Sequence, residues 1–265
     1  MSEGIDVAAV DEDDVDWVTL GQSGRTFAFV RACYHMTPDK DFATFWPAIK
    51  QAGLVRGAYL LWDPRIDPVA QAQRFLEVAL DSGPLAAGDL PLAIDVEFPG
   101  SLAAMNVKPQ EAIGKLVQTA NTVEQAIGVP PIIYTSRRVW SEDLNNLPAP
   151  ALARCPLWVA RYAPIDPPCP DPWSASGWAF HQYAGDARNV PGVSRQADLN
   201  RFNVLHQSHT GPRVEQIQSK LHLPVSGTFD EATTDAVCDF QRAHGLRVDG
   251  VVGPVTWSRL VWEVG

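Results

Sequence analysis

From Gly4 to about Phe202, short apolar runs alternate with longer segments whose apolar residues recur every three or four positions. The short runs are Gly4–Ala8, Phe27–Cys33, Arg56–Trp62, Pro91–Glu97, Ile132–Tyr134, Leu157–Arg161 and Ala179–Tyr183. They are rich in Ile, Val, Tyr, Phe and Trp and read as strands. Asp41–Ala52, Pro68–Ser82 and Pro109–Ile127 read as helices; in the last, Ala112, Leu116, Ala120, Val123 and Ile127 form one stripe. Gly53, Gly83 and Gly128 stand just past these segments, where a helix C-cap glycine belongs. Strands alternating with helices pair in parallel. Five such units followed by helix-poor strands predict an α/β fold: an irregular (β/α) barrel, β5α3-like and related to the TIM barrel. The many prolines after Ser141 predict long loops between the late strands.

At His206–Pro212 (HQSHTGP) the pattern changes. Val214, Ile217, Leu221 and Leu223 mark one helix. Ala232, Ala236, Val237 and Phe240 mark a second, opened by Thr228 or Asp230, and Trp257, Leu260 and Val261 mark a third. The expected division is residues 1–205 for the barrel, 206–212 for a linker and 213–265 for a three-helix domain. A unit this small is marginal on its own.

Composition narrows the function. The chain has 265 residues, 46% hydrophobic, enough for a large buried core. Its net charge is -10 and no block of Lys or Arg stands out, so a nucleic acid is not the expected partner. No apolar run reaches membrane-spanning length. The start, MSEGIDVAAVDEDD, lacks the basic and apolar stretches of a signal peptide, so a target outside the membrane implies delivery by another factor. Cys33, Cys155, Cys169 and Cys238 fit neither a disulfide framework nor a zinc set and read as free thiols, a Cys155–Cys169 bridge being the alternative. No phosphate-binding glycine loop follows the first strand, so no nucleotide cofactor is expected. A monomer is expected.

Acidic residues carry the candidate chemistry. Asp95-Val96-Glu97 ends a buried-strand pattern, and positions two apart share a strand face. Both carboxyls then face one cavity at the strand's C-terminal end, where barrel enzymes keep their sites. Crowding leaves one protonated and one ionised, the pair that glycoside hydrolysis uses. The triplet alone also fits a helix N-cap or a salt bridge. Asp6, in GIDVA, and Asp198, in ADLNRF, lie in the first and last strand patterns and meet if the barrel closes. A magnesium or calcium site is the competing reading of four acids. Trp62, Tyr134, Trp158, Tyr162 and Tyr183 sit at strand ends, where rings offer flat faces to sugars; Gln182 lies beside Tyr183. Arg31, ending the second strand, can bind substrate or hold a carboxylate.

GIDVA, FAFVRA, AGLVRGAY, LAIDVE, PIIYTS, LWVARY, WAFHQY and ADLNRF, in this order and spacing, resemble the glycoside hydrolase family 25 lysozymes. The resemblance runs from Gly4 to about Phe202. It implies a barrel of five β/α units plus three strands; with no zinc pattern among the histidines, neither a metal nor a cofactor is expected. It also implies hydrolysis of the β-1,4 bond from N-acetylmuramic acid to N-acetylglucosamine in peptidoglycan. Glu97 would be the general acid, and Asp95 would stabilise a glycosyl-enzyme or oxazoline-like intermediate. Asp6 and Asp198 would support them. Arg31-Ala32-Cys33-Tyr34-His35 departs from the family's usual Lys-Ala-Thr-Glu-Gly, and Leu60-Leu61 from a common His-Phe pair.

VEQIQSKLHLPVSGTFDEATTDAVCDFQRAHGL and RVDGVVGPVTWSRL resemble the type 1 peptidoglycan-binding domain. That resemblance makes Gln218, Gln241 and Trp257 candidate wall contacts, with helix packing an equal explanation for Trp257. Together the two resemblances imply a phage-type endolysin reaching the wall through a holin pore. The alternatives are a wall-binding protein whose barrel is inactive and a hydrolase of another amino-sugar polymer such as chitin. Deleting the residues after about 211 is expected to weaken wall association more than cleavage.

Overall fold

A computed structural model describes residues 2–8, 14–81, 83–163 and 166–263. The predicted strands form, most with slightly shifted ends: β1 (Ser2–Val7), β2 (Phe27–Tyr34), β3 (Thr37–Pro38), β4 (Val55–Leu61), β5 (Ala93–Asp95), β6 (Ile132–Ser136), β7 (Leu157–Ala160), β8 (Phe180–Ala187) and β9 (Ala197–Phe202). The two-residue β3, which only extends an edge of β2, was not visible in the pattern. Pairing runs β1-β9-β8-β7-β6-β5-β4-β2-β3, and β1 also pairs with β2, so eight strands close into a ring. All pairs from β1 through β2 and β4 to β8 are parallel; β9 is antiparallel to both of its neighbours.

The helices are α1 (Trp17–Gln22), α2 (Phe42–Gln51), α3 (Pro68–Leu80), α4 (Pro109–Ile127), α5 (Pro212–Lys220), α6 (Glu231–Ala243) and α7 (Pro254–Leu260). Asp67 caps α3 by accepting from the amides of Val69 and Ala70, with Pro68 as the first helical residue. Gly128 ends α4 at φ 79, a conformation a side chain would strain. Among the described residues, the late proline-rich stretch holds a π-helical turn at Val139–Asp143 and a 3-10 turn at Pro150–Leu152 rather than full helices.

Strand alternation divides the barrel into two cores. Ile5, Val7, Val30, Leu60, Ile94, Ile133 and Val159 point outward to the helices. Phe27, Phe29, Tyr59, Trp158, Phe180 and Phe202 point inward and plug the N-terminal half of the ring. Phe29 stacks on Trp158 with ring centroids 4.3 Å apart. Space for these rings comes from two glycines. A Cβ on Gly4 would stand 2.4 Å from the Phe27 carbonyl oxygen, and one on Gly57 would stand 2.3 Å from the Phe29 ring. Asp6, Arg31, Asp95 and Gln182, on the same inward parity, fall at the opposite, C-terminal end.

The three C-terminal helices form as expected, but they sit on the plugged end of the barrel. Trp257 lies 5.8 Å from Phe180 and 5.6 Å from Phe202, and Val214, Ile217 and Leu260 join the same core. Leu205 pairs with Val252, Gly88 N–H donates to the Ser258 carbonyl, and Trp262 Nε1 donates to the Asp89 carbonyl. The segment expected as a linker is itself paired: Ser208 N–H donates to Phe229 O, Phe229 N–H to His209 O, and Thr210 bridges Thr228.

Within this unit one motif occurs twice, 23 positions apart. Gln218 Oε1 accepts from the amides of Ser226 and Gly227, while its Nε2 donates to Thr228 O and Thr233 Oγ1. Gln241 does the same with Asp249, Gly250, Val251 O and Thr256 Oγ1. Each glutamine thus fastens the turn after its helix to the start of the next. Both are 1% exposed, so as wall contacts they are misplaced: their polar atoms are spent inside the domain. Trp257, 7% exposed, is chiefly part of the seam with the barrel; what remains of it lines a crevice there.

Candidate active site

At the C-terminal end of the ring a groove of about 250 Å³ opens, and all four predicted carboxyls line it. Asp6 and Asp198 are register partners across the β1–β9 seam, which closure of the barrel makes neighbours. Asp95 is the last residue of β5. Glu97 lies beyond that strand, although the alternation had placed it within. Its approach is nonetheless fixed: Val96 N–H donates to Tyr134 O, and Val96 O accepts from Thr135 Oγ1. Asp95 is buried and Glu97 exposed, so one acid sits on the floor and the other at the mouth.

A hydrogen-bond relay holds the floor together. Tyr134 Oη donates to Gln182 Oε1 at 2.9 Å, and Gln182 Nε2 donates to Asp6 at 2.9 Å and to Asp198 at 3.0 Å. Asn200 Nδ2 donates to Asp6 at 2.6 Å, and Trp158 Nε1 fixes Asn200 by donating to its Oδ1 at 2.7 Å. Asn200 was missed in the sequence, although it stands two positions after Asp198 and therefore shares its face. Asp95 is different: among the described residues its Oδ1 is buried without a hydrogen-bond partner. A buried acceptor left bare is costly, and it marks the place where a ligand donor fits.

Burial sets the acidities. It pushes the Asp95 carboxyl well above the usual carboxylate range, with the charges of Glu97 and Asp6 adding to the effect. Asp6 rises to about 8, through burial and then Asp198, against the hydrogen bonds from Gln182 and Asn200. Glu97 is raised by the protein mass around it, opposed by Arg31 and Arg138. Arg31 lines the groove while its Nε donates to buried Asp39 at 2.9 Å, which anchors the guanidinium near the acids.

Asp6 gives a pH-dependent stability of known sign. Its folded value of about 8 exceeds the ordinary 3.8, so the folded chain holds a proton that the unfolded chain releases. Stability from this group is complete below the ordinary carboxylate range and is lost as pH rises toward about 8. Asp6→Asn, whose amide oxygen can accept the same two hydrogen bonds, should therefore gain Tm relative to the native chain between about pH 5 and about pH 8. Thermal melts at both values check this; a constant Tm difference would contradict it.

Of the predicted aromatic contacts, Tyr134, Trp158 and Tyr162 line the groove with Gln182 and Arg31. Tyr162 is 64% exposed and stands at the rim, whereas Trp158 is a covered floor residue. Two do not join them. Trp62 points outward, buried, with Nε1 donating to Thr119 Oγ1 of α4 at 3.1 Å. Tyr183 stands one position out of phase with Gln182, toward Glu3 on the outer side. Elsewhere, the four cysteines are free thiols, and burial pushes Cys155 up to about 12 and Cys33 up to about 11.

Comparison with known proteins agrees with this architecture. The model of glycosyl hydrolases family 25 matches residues 5–193, and that of a putative peptidoglycan binding domain matches residues 210–260. The autolytic lysozyme of Clostridium acetobutylicum is 27% identical over 274 residues, covering 96% of this chain and 77% of that protein. An uncharacterized protein of Escherichia coli (strain K12), YegX, is 29% identical over 206 residues, covering 76% of this chain and 69% of its own. The crystal structure of the bacterial lysozyme from Streptomyces coelicolor is similar with a TM-score of 0.68 and 25% identity, covering 76% of this chain and 92% of that one. With a closed barrel, an acid-lined groove at its C-terminal end and a family match over most of its length, the chain belongs to glycosyl hydrolase family 25, as a muramidase-type enzyme carrying a peptidoglycan-binding domain.

Proposed function

We propose that the enzyme cleaves the β-1,4 bond between N-acetylmuramic acid and N-acetylglucosamine, with Glu97 as general acid and Asp95 stabilising the intermediate. The observation that carries this reading is the pairing of an exposed acid at the groove's mouth with a buried, half-unsatisfied one on its floor.

Four carboxyls this close cannot all be anionic, so protons are shared among them. In the empty groove the deeply buried Asp95 is the better resting place for one. A bound acetamido N–H would supply the donor that Asp95 Oδ1 lacks and so favour the Asp95 anion. Sugar rings covering Glu97 would favour its neutral form. Binding therefore moves the acidic proton to the group that uses it. Glu97 protonates the glycosidic oxygen as its bond to the anomeric carbon breaks. The charge developing on that carbon is met by the Asp95 carboxylate or by the substrate's own acetamido oxygen, with Asp95 holding its N–H. Water then adds at the anomeric carbon and returns its proton to Glu97. Arg31 and the Gln182 relay keep the remaining charges in place.

Delivery through a holin-type pore in a phage-infected host is the setting we attach to this activity. The decisive experiment is mass analysis of the ends released from purified peptidoglycan. New reducing muramic ends support the assignment. Reducing glucosamine ends, or free amines without new reducing ends, would replace it with a glucosaminidase or with an amidase or peptidase.

A further inference from the structure

Beside the main groove lies a second chamber of about 330 Å³ that shares Glu97, Tyr134 and Tyr162 with it. Their linings differ in charge. The main groove is lined by five acids (Asp6, Asp95, Glu97, Asp186 and Asp198) and Arg31, whereas the side chamber holds Arg138 and Arg161 against Glu97 alone. In a chain of net charge -10 this is a local reversal of sign, at the mouth of the site.

Arg161 is held from its backbone. Its N–H donates to Gln182 O, and its carbonyl accepts from Ala163 N–H and from His181 Nε2, both at 2.8 Å. Arg201 Nε donates to His181 Nδ1 at 3.1 Å, and arginine only donates, so Nε2 is the nitrogen that carries the proton. The guanidinium of Arg161, by contrast, has no hydrogen bond or ion pair among the described residues. Arg138 stands 3.6 Å from Asp143 and 3.7 Å from Glu142, close enough for orientation but outside hydrogen-bonding distance. Both arginines thus keep donors for an incoming anion.

Such an anion must be attached near the bond being cut, because the chamber opens at Glu97. Given the proposed muramidase reaction, on which this step rests, the muramyl sugar carries its peptide branch through a lactyl ether. Peptide carboxylates are the anions beside that bond. The acids of the main groove would repel them. We infer that the side chamber is a specificity subsite for the peptide branch, in which Arg161, assisted by Arg138, binds a peptide carboxylate. The planar guanidinium suits a carboxylate better than an ammonium does.

The test compares kcat/KM on glycan chains bearing their peptides with that on the same chains stripped by an amidase. For Arg161→Gln, the ratio of the two should fall about tenfold, mainly through KM on the peptide-bearing chains, as expected for one charge-assisted hydrogen bond. Arg161→Lys should restore part of the preference, and added salt should narrow it in the native enzyme. An unchanged ratio in Arg161→Gln, with either equal losses or no loss, overturns the subsite. If the native enzyme cuts neither substrate, the proposed reaction itself fails, and that outcome is distinct from both.

Discussion

Glu97→Gln is expected to lower kcat for peptidoglycan cleavage by roughly 10²- to 10⁴-fold while leaving wall binding and Tm near native values. Glutamine keeps the shape and a hydrogen-bonding amide but has no acidic proton for the leaving oxygen. Glu97 is exposed at the mouth and holds no buried partner in place, so its loss should not disturb the fold. The loss should appear in kcat more than in KM, since the proton is transferred only in the transition state. Release of reducing ends and pelleting with purified walls measure the two sides separately. A variant that still lyses walls at full rate would remove Glu97 from the acid role and leave Asp95, whose carboxyl is raised further, as the candidate.

The outcome for each candidate residue was largely a matter of parity. Asp6, Arg31, Tyr134, Trp158 and Gln182 fall on inward positions of their strands and meet in one groove. Trp62 and Tyr183 stand one residue off Leu61 and Gln182 and consequently face away from it. A list of aromatic residues at strand ends cannot separate these cases, but alternation from an inward reference can, because strand side chains change face at every step. The closed order of the barrel was legible because alternating strands and helices permit few connections. Glu97 was placed correctly in the groove for an incomplete reason: β5 ends at Asp95, and tertiary hydrogen bonds to β6 carry the chain onward. Asp39 and the two chamber arginines were not legible. Their importance comes from which loops meet above the barrel, and hydrophobic periodicity says nothing about loops. The doubled glutamine motif did leave a sequence trace, since VEQIQ and VCDFQ begin segments that continue to Gly227 and Gly250 at the same spacing. Reading those glutamines as ligand contacts ignored how often a polar residue at a fixed distance from a turn serves that turn.

Truncation after Leu205 should destabilise the barrel itself, not merely release a tether. The sequence alone treated the last fifty or so residues as a separable wall anchor. In the structure they cap the plugged end: Trp257 covers Phe180 and Phe202, and backbone hydrogen bonds join Leu205 to Val252 and Gly88 to Ser258. Removing a buried tryptophan side chain from such a contact costs about 3–5 kcal/mol. For a chain of this length that corresponds to a fall in Tm of roughly 10 °C. Trp257→Ala should show that loss alone, and the truncation at least as much, with cleavage of soluble fragments falling as the temperature approaches the new midpoint. The intact chain should melt in one transition whether followed by the tryptophans, most of which lie in the barrel, or by the helical signal of the whole molecule. Two separate transitions, or a truncated barrel with native Tm and native activity on soluble fragments, would show that the cap is only a passenger. A single transition that weakens when Trp257 is removed means that the three-helix unit and the barrel unfold together, the helices sealing the end of the ring opposite the groove.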